Sequence, residues 1–288
     1  MSPIVAVTGA TGNIGGRVAR LLSARGVTQR LLSRNPSALP DLPGATNVQG
    51  AEYTDAEALR AAFSGADTLL LVSARESANR VHEHTTAIDA AIAAGVSRIV
   101  YTSFLGAGAD CTFTFGQDHW HTEQHLKATG VPFVALRDNM YASAPPAMTG
   151  ADGAIRGPAG DGAVSMVALD DIAAVAVAAL TDTAHDGQVL DVTGPEAITL
   201  AEAARVLSEV TGREITYVAE TEDEAYASRA HYNAPEYEVA GWVTSYTAIA
   251  AGELAVVSDT VTRLTGRQPQ TFAEFLTANP GTYAHLVK

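Results

Sequence analysis

Apolar residues fall along this chain in short unbroken runs, separated by segments with helical spacing. The runs are residues 4–7 (IVAV), Thr28–Leu32, a weaker one over Thr46–Gly50, Asp67–Val72, Arg98–Ser103 and Pro132–Arg137. Each predicts a strand, and the continuous run Leu69-Leu70-Leu71 is what a strand covered on both faces shows. The segments between them predict helices. Ile14 to Ala24 places Ile14, Val18, Leu21 and Leu22 on one face, and Asp55 is the N-cap of a helix ending near Ser64. A third helix runs from about Ser77 to Ala94 and stops at Gly95; a fourth runs from about Gly116 to Ala128 and stops at Gly130. Strands alternating with helices in this way predict βαβ units, a parallel sheet and right-handed crossovers.

After residue 140 the rhythm changes. Ala151–Val167 is glycine-rich with two short apolar pieces and predicts a hairpin. Asp170–Leu180 predicts a helix and Gln188–Val192 a strand. Thr199/Glu202 and Thr271/Glu274 each fit a capping box, and 220–266 is mostly helical with weak patterning. The division expected is a nucleotide-binding domain over 1–140 and a smaller α+β substrate lobe over 141–288, packed on the first and partly interleaved with it.

Composition removes several classes of function. The chain has 288 residues, 47% hydrophobic and 17% charged, which excludes a disordered protein. A net charge of −14 argues against binding nucleic acid, whose phosphates require clustered Lys and Arg. The single cysteine, Cys111, excludes an intramolecular disulfide and fits a reducing cytoplasm. The N-terminus lacks a basic leader segment, and the longest strongly apolar stretch, Ile172–Leu180, falls far short of the ~20 residues that span a bilayer. A cytoplasmic monomer or homodimer, bound to neither nucleic acid nor membrane, is the expectation.

The sharpest motif is Gly9-Ala-Thr-Gly12-Asn-Ile-Gly15, directly after the first strand and opening a helix. Gly9 can take a turn that a Cβ forbids, Gly12 lets backbone approach a diphosphate, and Gly15 lets the helix sit close on the sheet. The helix N-terminus then offers N–H donors to the anion. The fold class that follows is α/β, a Rossmann-type parallel sheet with helices on both faces plus the small C-terminal lobe. Where an NAD-preferring site carries an acid at the end of the second strand, this chain has Arg34, whose guanidinium suits a 2′-phosphate. NADP(H) is therefore the expected cofactor. By position, Glu52 and Tyr53 fall near the adenine, and Ser73, Ala74, Thr102 and Ser103 near the nicotinamide.

TGATGNIGGRV, LLSRNP, AEYTD, LLLVS, VYTSF, HTEQHLKATGVPFVALRDNMY and GAIRGPAGDGAVSMVALDDIA together resemble the NmrA-like branch of the atypical short-chain dehydrogenase/reductase superfamily. The resemblance runs over nearly the whole chain and is nearest to the branch's reductases of quinones and triphenylmethane dyes. It implies NADPH lying across the strand ends. Gly9, Thr11, Gly12, Asn13 and Ile14 would hold the diphosphate and Arg34 the 2′-phosphate. Ser73 and Ala74 would border the nicotinamide ribose, and Asn139 and Tyr141 would face the nicotinamide and substrate.

One departure bears on the chemistry. The wider superfamily protonates its substrate through a Tyr-x-x-x-Lys pair, and aligning Glu123 with a glutamate of the extended members puts Phe115 and His119 at those two positions. Hydride addition to a ketone gives an alkoxide with a pKa of roughly 15, which needs a donated proton. Addition to a quinone gives a phenolate-like anion nearer the ~10 of tyrosine, which water or one histidine can protonate. Two readings stay open: a reductase of a small aromatic or quinone-like substrate, with His119 and Tyr141 as catalytic candidates, and an NADP(H)-sensing regulator without turnover. Phe104, Phe113, Phe115, Trp120 and Tyr141 are the candidate aromatic wall. His121 and His125 share a helix face without a third metal ligand, and no metal is assigned; His82 and His84 read as solvated.

Overall fold

A computed structural model describes residues 3–287. The alternation is realised in order as β1 (Val5–Val7), α1 (Asn13–Ala24), β2 (Gln29–Ser33), β3 (Ala45–Gln49), α2 (Ala56–Phe63), β4 (Thr68–Leu71), α3 (Arg80–Ala93), β5 (Arg98–Phe104), α4 (Thr114–Thr129) and β6 (Phe133–Asp138). Then follow α5 (Ala144–Met148), β7 (Ala154–Gly157), β8 (Ala163–Val164), α6 (Leu169–Thr181), β9 (Val189–Val192), β10 (Ile198–Thr199), α7 (Leu200–Thr211) and β11 (Thr216–Ala219). The chain ends with α8 (Glu222–Arg229), α9 (Glu236–Ala250), α10 (Thr260–Thr265) and α11 (Phe272–Ala278). Among the described residues no helix is long and apolar enough to cross a membrane.

Seven strands form one parallel sheet in the order β3-β2-β1-β4-β5-β6-β9, the Rossmann-type α/β arrangement. Val7 pairs with Leu31 on one side and Leu70 on the other. The chain winds outward from β1 in one direction and from β4 in the other. The loops after these two neighbours therefore diverge and leave a crevice at their C-terminal ends.

Two units divide the chain. One comprises the chain up to Phe104, with Asp118–Arg137 and Leu169–Leu190; the other comprises Leu105–Gln117, Asp138–Ala168 and the chain from Asp191 onward. In the first unit, strand alternation splits the apolar residues between two faces. Leu69, Leu71, Ile99 and Tyr101 pack with Phe63 of α2, Ile88 of α3 and Leu126 of α4, all fully buried. Helices α1 and α6 pack on each other, with α6 against β4 and β5. In α1 the buried stripe is Ile14, Val18 and Leu22 with Gly15 and Ala19, whereas Leu21, expected on that face, is exposed. Its place is taken by residues small enough to bring the helix close.

The second unit corrects the hairpin expected over 151–167. β7 and β8 both form there but do not pair with each other. β7 pairs in parallel with β11, about sixty residues on, and β8 pairs antiparallel with β10. Gly157 explains the first choice: a Cβ there would meet the Tyr246 ring at 2.2 Å, so β7 is pressed against α9 rather than folded back on β8. Thr199/Glu202 and Thr271/Glu274 form reciprocal capping boxes as expected, and Thr221/Glu224 forms a third that opens α8.

Candidate active site

The glycine turn after β1 is built around absent side chains. Gly9 has φ +59°, and its carbonyl accepts the Gly12 N–H at 2.8 Å. A Cβ on Gly15 would lie 2.4 Å from the Gly9 oxygen and 2.6 Å from the Thr8 oxygen, so α1 rests directly on the backbone of the turn. Gly12 is the N-cap of α1, with no side-chain cap and no acid in the first turn. Side chains cap α2, α7, α8 and α11, while α3, α5, α9 and α10 share with α1 the lack of a side-chain cap. The first N–H groups of α1 are thus left for an external anion, and the helix dipole favours one there. Gly12 and Ile14 can contribute backbone only in that role, because Gly12 has no side chain and that of Ile14 is buried in the core, whereas Asn13 is exposed and its backbone carbonyl accepts from Arg17 at 2.9 Å.

A cleft of about 280 Å³ opens beside this turn, and Gly9, Thr11, Arg34, Tyr53, Ser73 and Ala74 all line it. Leu32 and Ala51 give it an apolar flank. Its floor is fixed by Thr8, which the sequence reading passed over. The Thr8 hydroxyl accepts the Val72 N–H at 2.9 Å and donates to the Leu70 carbonyl at 3.1 Å. The Tyr53 hydroxyl lies 2.7 Å from that Thr8 oxygen and 2.8 Å from the Val72 carbonyl. Burial pushes the Tyr53 phenol up, keeping it a neutral donor. At the rim, Arg34 pairs with Glu52 at 2.6 Å.

Ser73 and Ala74 form a strap held from behind. The Thr102 hydroxyl accepts the Ser73 N–H at 2.8 Å and lies 3.3 Å from the Ser73 hydroxyl. The Ala74 N–H donates to His84 Nε2 at 2.8 Å, and Arg80 Nε donates to the Ala74 carbonyl at 2.9 Å. Thr102 therefore supports the lining rather than forming it. Ser103 is buried and donates to the Glu123 carboxylate at 2.7 Å. Glu123 is fully buried and is gripped by both arms of Arg137, at 2.9 and 2.7 Å. The Ser103 hydroxyl proton is thus directed at Glu123 and away from any ligand.

His84 corrects the sequence reading outright. It is fully buried, not solvated, because Arg80, His84, Ile88 and Ala91 follow one stripe of α3 that faces the sheet. His84 Nδ1 lies 2.9 Å from the Thr122 hydroxyl and 3.2 Å from that of Tyr101. Tyr101 lies in turn 2.8 Å from Nδ1 of His119, which is 4% exposed and stacked on Phe104. Burial and the Arg80 charge lower the pKa of both imidazoles, His84 to about 3 and His119 well below the usual histidine range. Both rings are neutral at pH 7. His125 pairs with Asp89 at 2.7 Å and His121 packs edge-on against Trp120, so the two histidines sharing a face are engaged separately.

Asn139, in the second unit, does not present its amide to a ligand. It is fully buried, its nitrogen donates to the Ser165 carbonyl and hydroxyl and to the Leu254 carbonyl, and its oxygen accepts the Met140 N–H. Every amide atom is engaged in folding the loop after β6. Tyr141 is half-buried and bridges Val167 through its backbone. Phe115 is buried flat on Gly241, where a Cβ would meet its ring at 2.1 Å, and Phe113 packs edge-on against it.

Comparison with known proteins places this architecture. Residues 9–183 match the model of the NAD(P)H-binding family. The chain is 32% identical to quinone oxidoreductase 2 of Escherichia coli, over 94% of this chain and 96% of that one. It is also 32% identical to the NAD(P)H azoreductase of Xenophilus azovorans, over 97% of this chain and 99% of that one. The crystal structure of the NADPH complex of the E. coli NADPH-dependent quinone oxidoreductase superposes with a TM-score of 0.86, covering 95% of this chain and 99% of that one at 31% identity. The fold is also that of NmrA, a negative transcriptional regulator, with a TM-score of 0.78 at 16% identity, covering 100% of this chain and 99% of that one.

Proposed function

The chain belongs to the NAD(P)H-binding family and is an NAD(P)H-dependent oxidoreductase; from that premise we propose that it passes hydride from NADPH to a quinone or a similarly conjugated acceptor. The observation that carries the reading is the uncapped start of α1 opening beside a cleft with Arg34 at its rim. The amides after Gly9 hold the diphosphate, Arg34 holds the 2′-phosphate, and the Ser73–Ala74 strap borders the far ribose. Residues 1–140 serve as the nucleotide-binding part and 141–288 as the substrate lobe.

Bound NADPH supplies the hydride, and the protein's task is to orient the acceptor and supply a proton. On the alignment through Glu123, Phe115 stands at the superfamily's phenol position, and His119 is neutral. A neutral N–H stabilises the phenolate-like oxygen of a reduced quinone, whose pKa is near ~10, but is a poor match for an alkoxide near ~15. His119 is assigned that hydrogen bond, and Tyr141 a contact to the acceptor ring. NADPH consumption with a simple benzoquinone, without added flavin, is the test. Turnover above the uncatalysed background is expected. Tight NADPH binding with no consumption across quinone, dye and azo acceptors would replace this reading with that of an NADP(H) sensor.

A further inference from the structure

Two buried groups, His84 and Tyr101, touch neither the cleft nor any acceptor assigned above, and yet they form an unbroken hydrogen-bonded chain from the Ala74 strap to His119. We propose that Tyr101 and His84 are positioning residues that fix His119 in the tautomer bearing its proton on Nε2. The inference rests on the reading that assigns His119 the hydrogen bond to the acceptor.

The protons can be placed one after another. The Ala74 N–H donates to His84 Nε2 at 2.8 Å, so that nitrogen carries the lone pair and, in the neutral ring, Nδ1 carries the proton. Two oxygens face that Nδ1–H: Thr122 at 2.9 Å and Tyr101 at 3.2 Å. The Thr122 proton is used on the Asp118 carbonyl at 2.8 Å, which leaves its oxygen free to accept. Tyr101 thus has a donor on its His84 side. Its own proton goes to the other neighbour, His119 Nδ1, which at 2.8 Å is the shorter of its two contacts to ring nitrogens, because the remaining neighbour, the Thr122 oxygen, already faces the His84 Nδ1–H at 2.9 Å.

The opposite arrangement would have both histidines donating to the Tyr101 oxygen. The phenol proton would then be left only the Thr122 oxygen, which the His84 Nδ1–H also faces at 2.9 Å, while its closest neighbour at 2.8 Å offered no lone pair inside a fully buried site. Tyr101 therefore donates, His119 Nδ1 accepts, and the single ring proton of His119 resides on Nε2. Among the described residues no group bonds Nε2, so the chain ends by presenting an N–H. Arg80 on α3 and Arg137 on β6 are the cations acting on the rings, and Asp118 and Glu123 on α4 are the anions acting on Tyr101. Arg80 opposes a second proton on either imidazole, so that the chain carries orientation rather than charge.

Nitrogen-15 NMR of the full-length protein labelled at histidine reads the tautomer directly. The expected spectrum has His119 protonated at Nε2 and bare at Nδ1. In Tyr101→Phe the Nδ1 partner is gone, so the tautomers mix. The kcat for benzoquinone should then fall by about tenfold, the effect of one misdirected hydrogen bond, with the KM for NADPH unchanged. His119→Gln, whose terminal nitrogen reaches the Nε2 position, should retain more activity than His119→Asn, which reaches only Nδ1. A wild-type spectrum with the proton on Nδ1 overturns the proposal whatever the variants do. So does a folded Tyr101→Phe protein with unchanged tautomer and kcat. A protein that shows the Nε2 proton but turns over no acceptor keeps the positioning chain and loses only the reaction assigned to it.

Discussion

The guanidinium of Arg34 and the carboxylate of Glu52 meet at 2.6 Å on the rim of the cleft, each side chain about two-thirds exposed. An ion pair that wet contributes about 0–1 kcal/mol, so a dianionic 2′-phosphate can take the guanidinium from it. Glu52 nevertheless taxes that exchange, because its charge stays close to the incoming phosphate. Arg34→Glu should weaken NADPH by more than tenfold, above ~1.4 kcal/mol, and NADH less. Glu52→Gln should tighten NADPH by about fivefold, the ~1 kcal/mol of the lost pair, and leave NADH nearly unchanged. Coenzyme titrations followed by fluorescence give all four constants. Equal losses of the two coenzymes in Arg34→Glu would remove Arg34 from the 2′-phosphate site.

Gly15→Ala tests the cradle itself. The added methyl would sit inside van der Waals contact of two backbone oxygens, those of Gly9 and Thr8, and neither can rotate away. Overpacking of this kind costs about 1–3 kcal/mol and must lift α1 from the turn. The melting temperature should fall and NADPH binding weaken by at least tenfold. Gly16→Ala, where the methyl would meet one carbonyl oxygen at 3.1 Å, should do less of both. Identical behaviour of the two variants would mean that the close approach at Gly15 does not set the site.

What the sequence disclosed follows the range of the forces involved. The strand, glycine turn and helix over residues 4–24 were legible because the turn conformation and the helix start are decided within a few residues. The position of Arg34, directly after β2, was legible for the same reason. The 151–167 segment was not, because β7 chose β11 over its sequence neighbour for a contact at Tyr246. His84 was within reach: it lies four residues before Ile88 on a stripe that also holds Ala91, and helical phase alone puts it inside. Its partner Tyr101 sits on a strand and His119 on a later helix, so the cluster is a product of sheet order. The engagement of the Asn139 amide was not legible, because its three carbonyl and hydroxyl partners lie on segments far along the chain.

Glu123 and Arg137 make the next case. The carboxylate is fully buried while Arg137 keeps about a fifth of its side chain in contact with water. Breaking a buried pair costs about 3–5 kcal/mol, and the partial exposure of Arg137 puts this one near the lower end. Glu123→Gln keeps the shape and the Ser103 contact but leaves the guanidinium unneutralised. Urea unfolding should show a loss of about 3 kcal/mol, with the KM for NADPH within twofold, because neither residue lines the cleft. A larger change in KM than in stability would place this pair in coenzyme binding instead.

The two neutral histidines also set how the fold responds to acid. His84 has its pKa lowered to about 3 by burial and by Arg80, and His119 is lowered for the same reasons. In the unfolded chain each titrates near the ordinary 6.5. Above that pH neither state binds the proton, and the full stabilisation is present. As the pH falls below it, the unfolded chain takes up protons that the fold refuses, and stability declines by about 1.4 kcal/mol per pH unit for each ring. The capping glutamates Glu202, Glu224 and Glu274, whose pKa values are lowered in the fold, add their own loss only below their ordinary 4.5. The interval from pH 7 to 5.5 therefore lies above the range of the capping glutamates, while Asp118, whose pKa burial raises, acts in the opposite sense to the histidines. Urea unfolding at those two values should differ by about 2–3 kcal/mol, and His84→Gln should remove about half of the difference. A wild-type stability that is flat across the interval would mean that one or both rings accept a proton inside the fold.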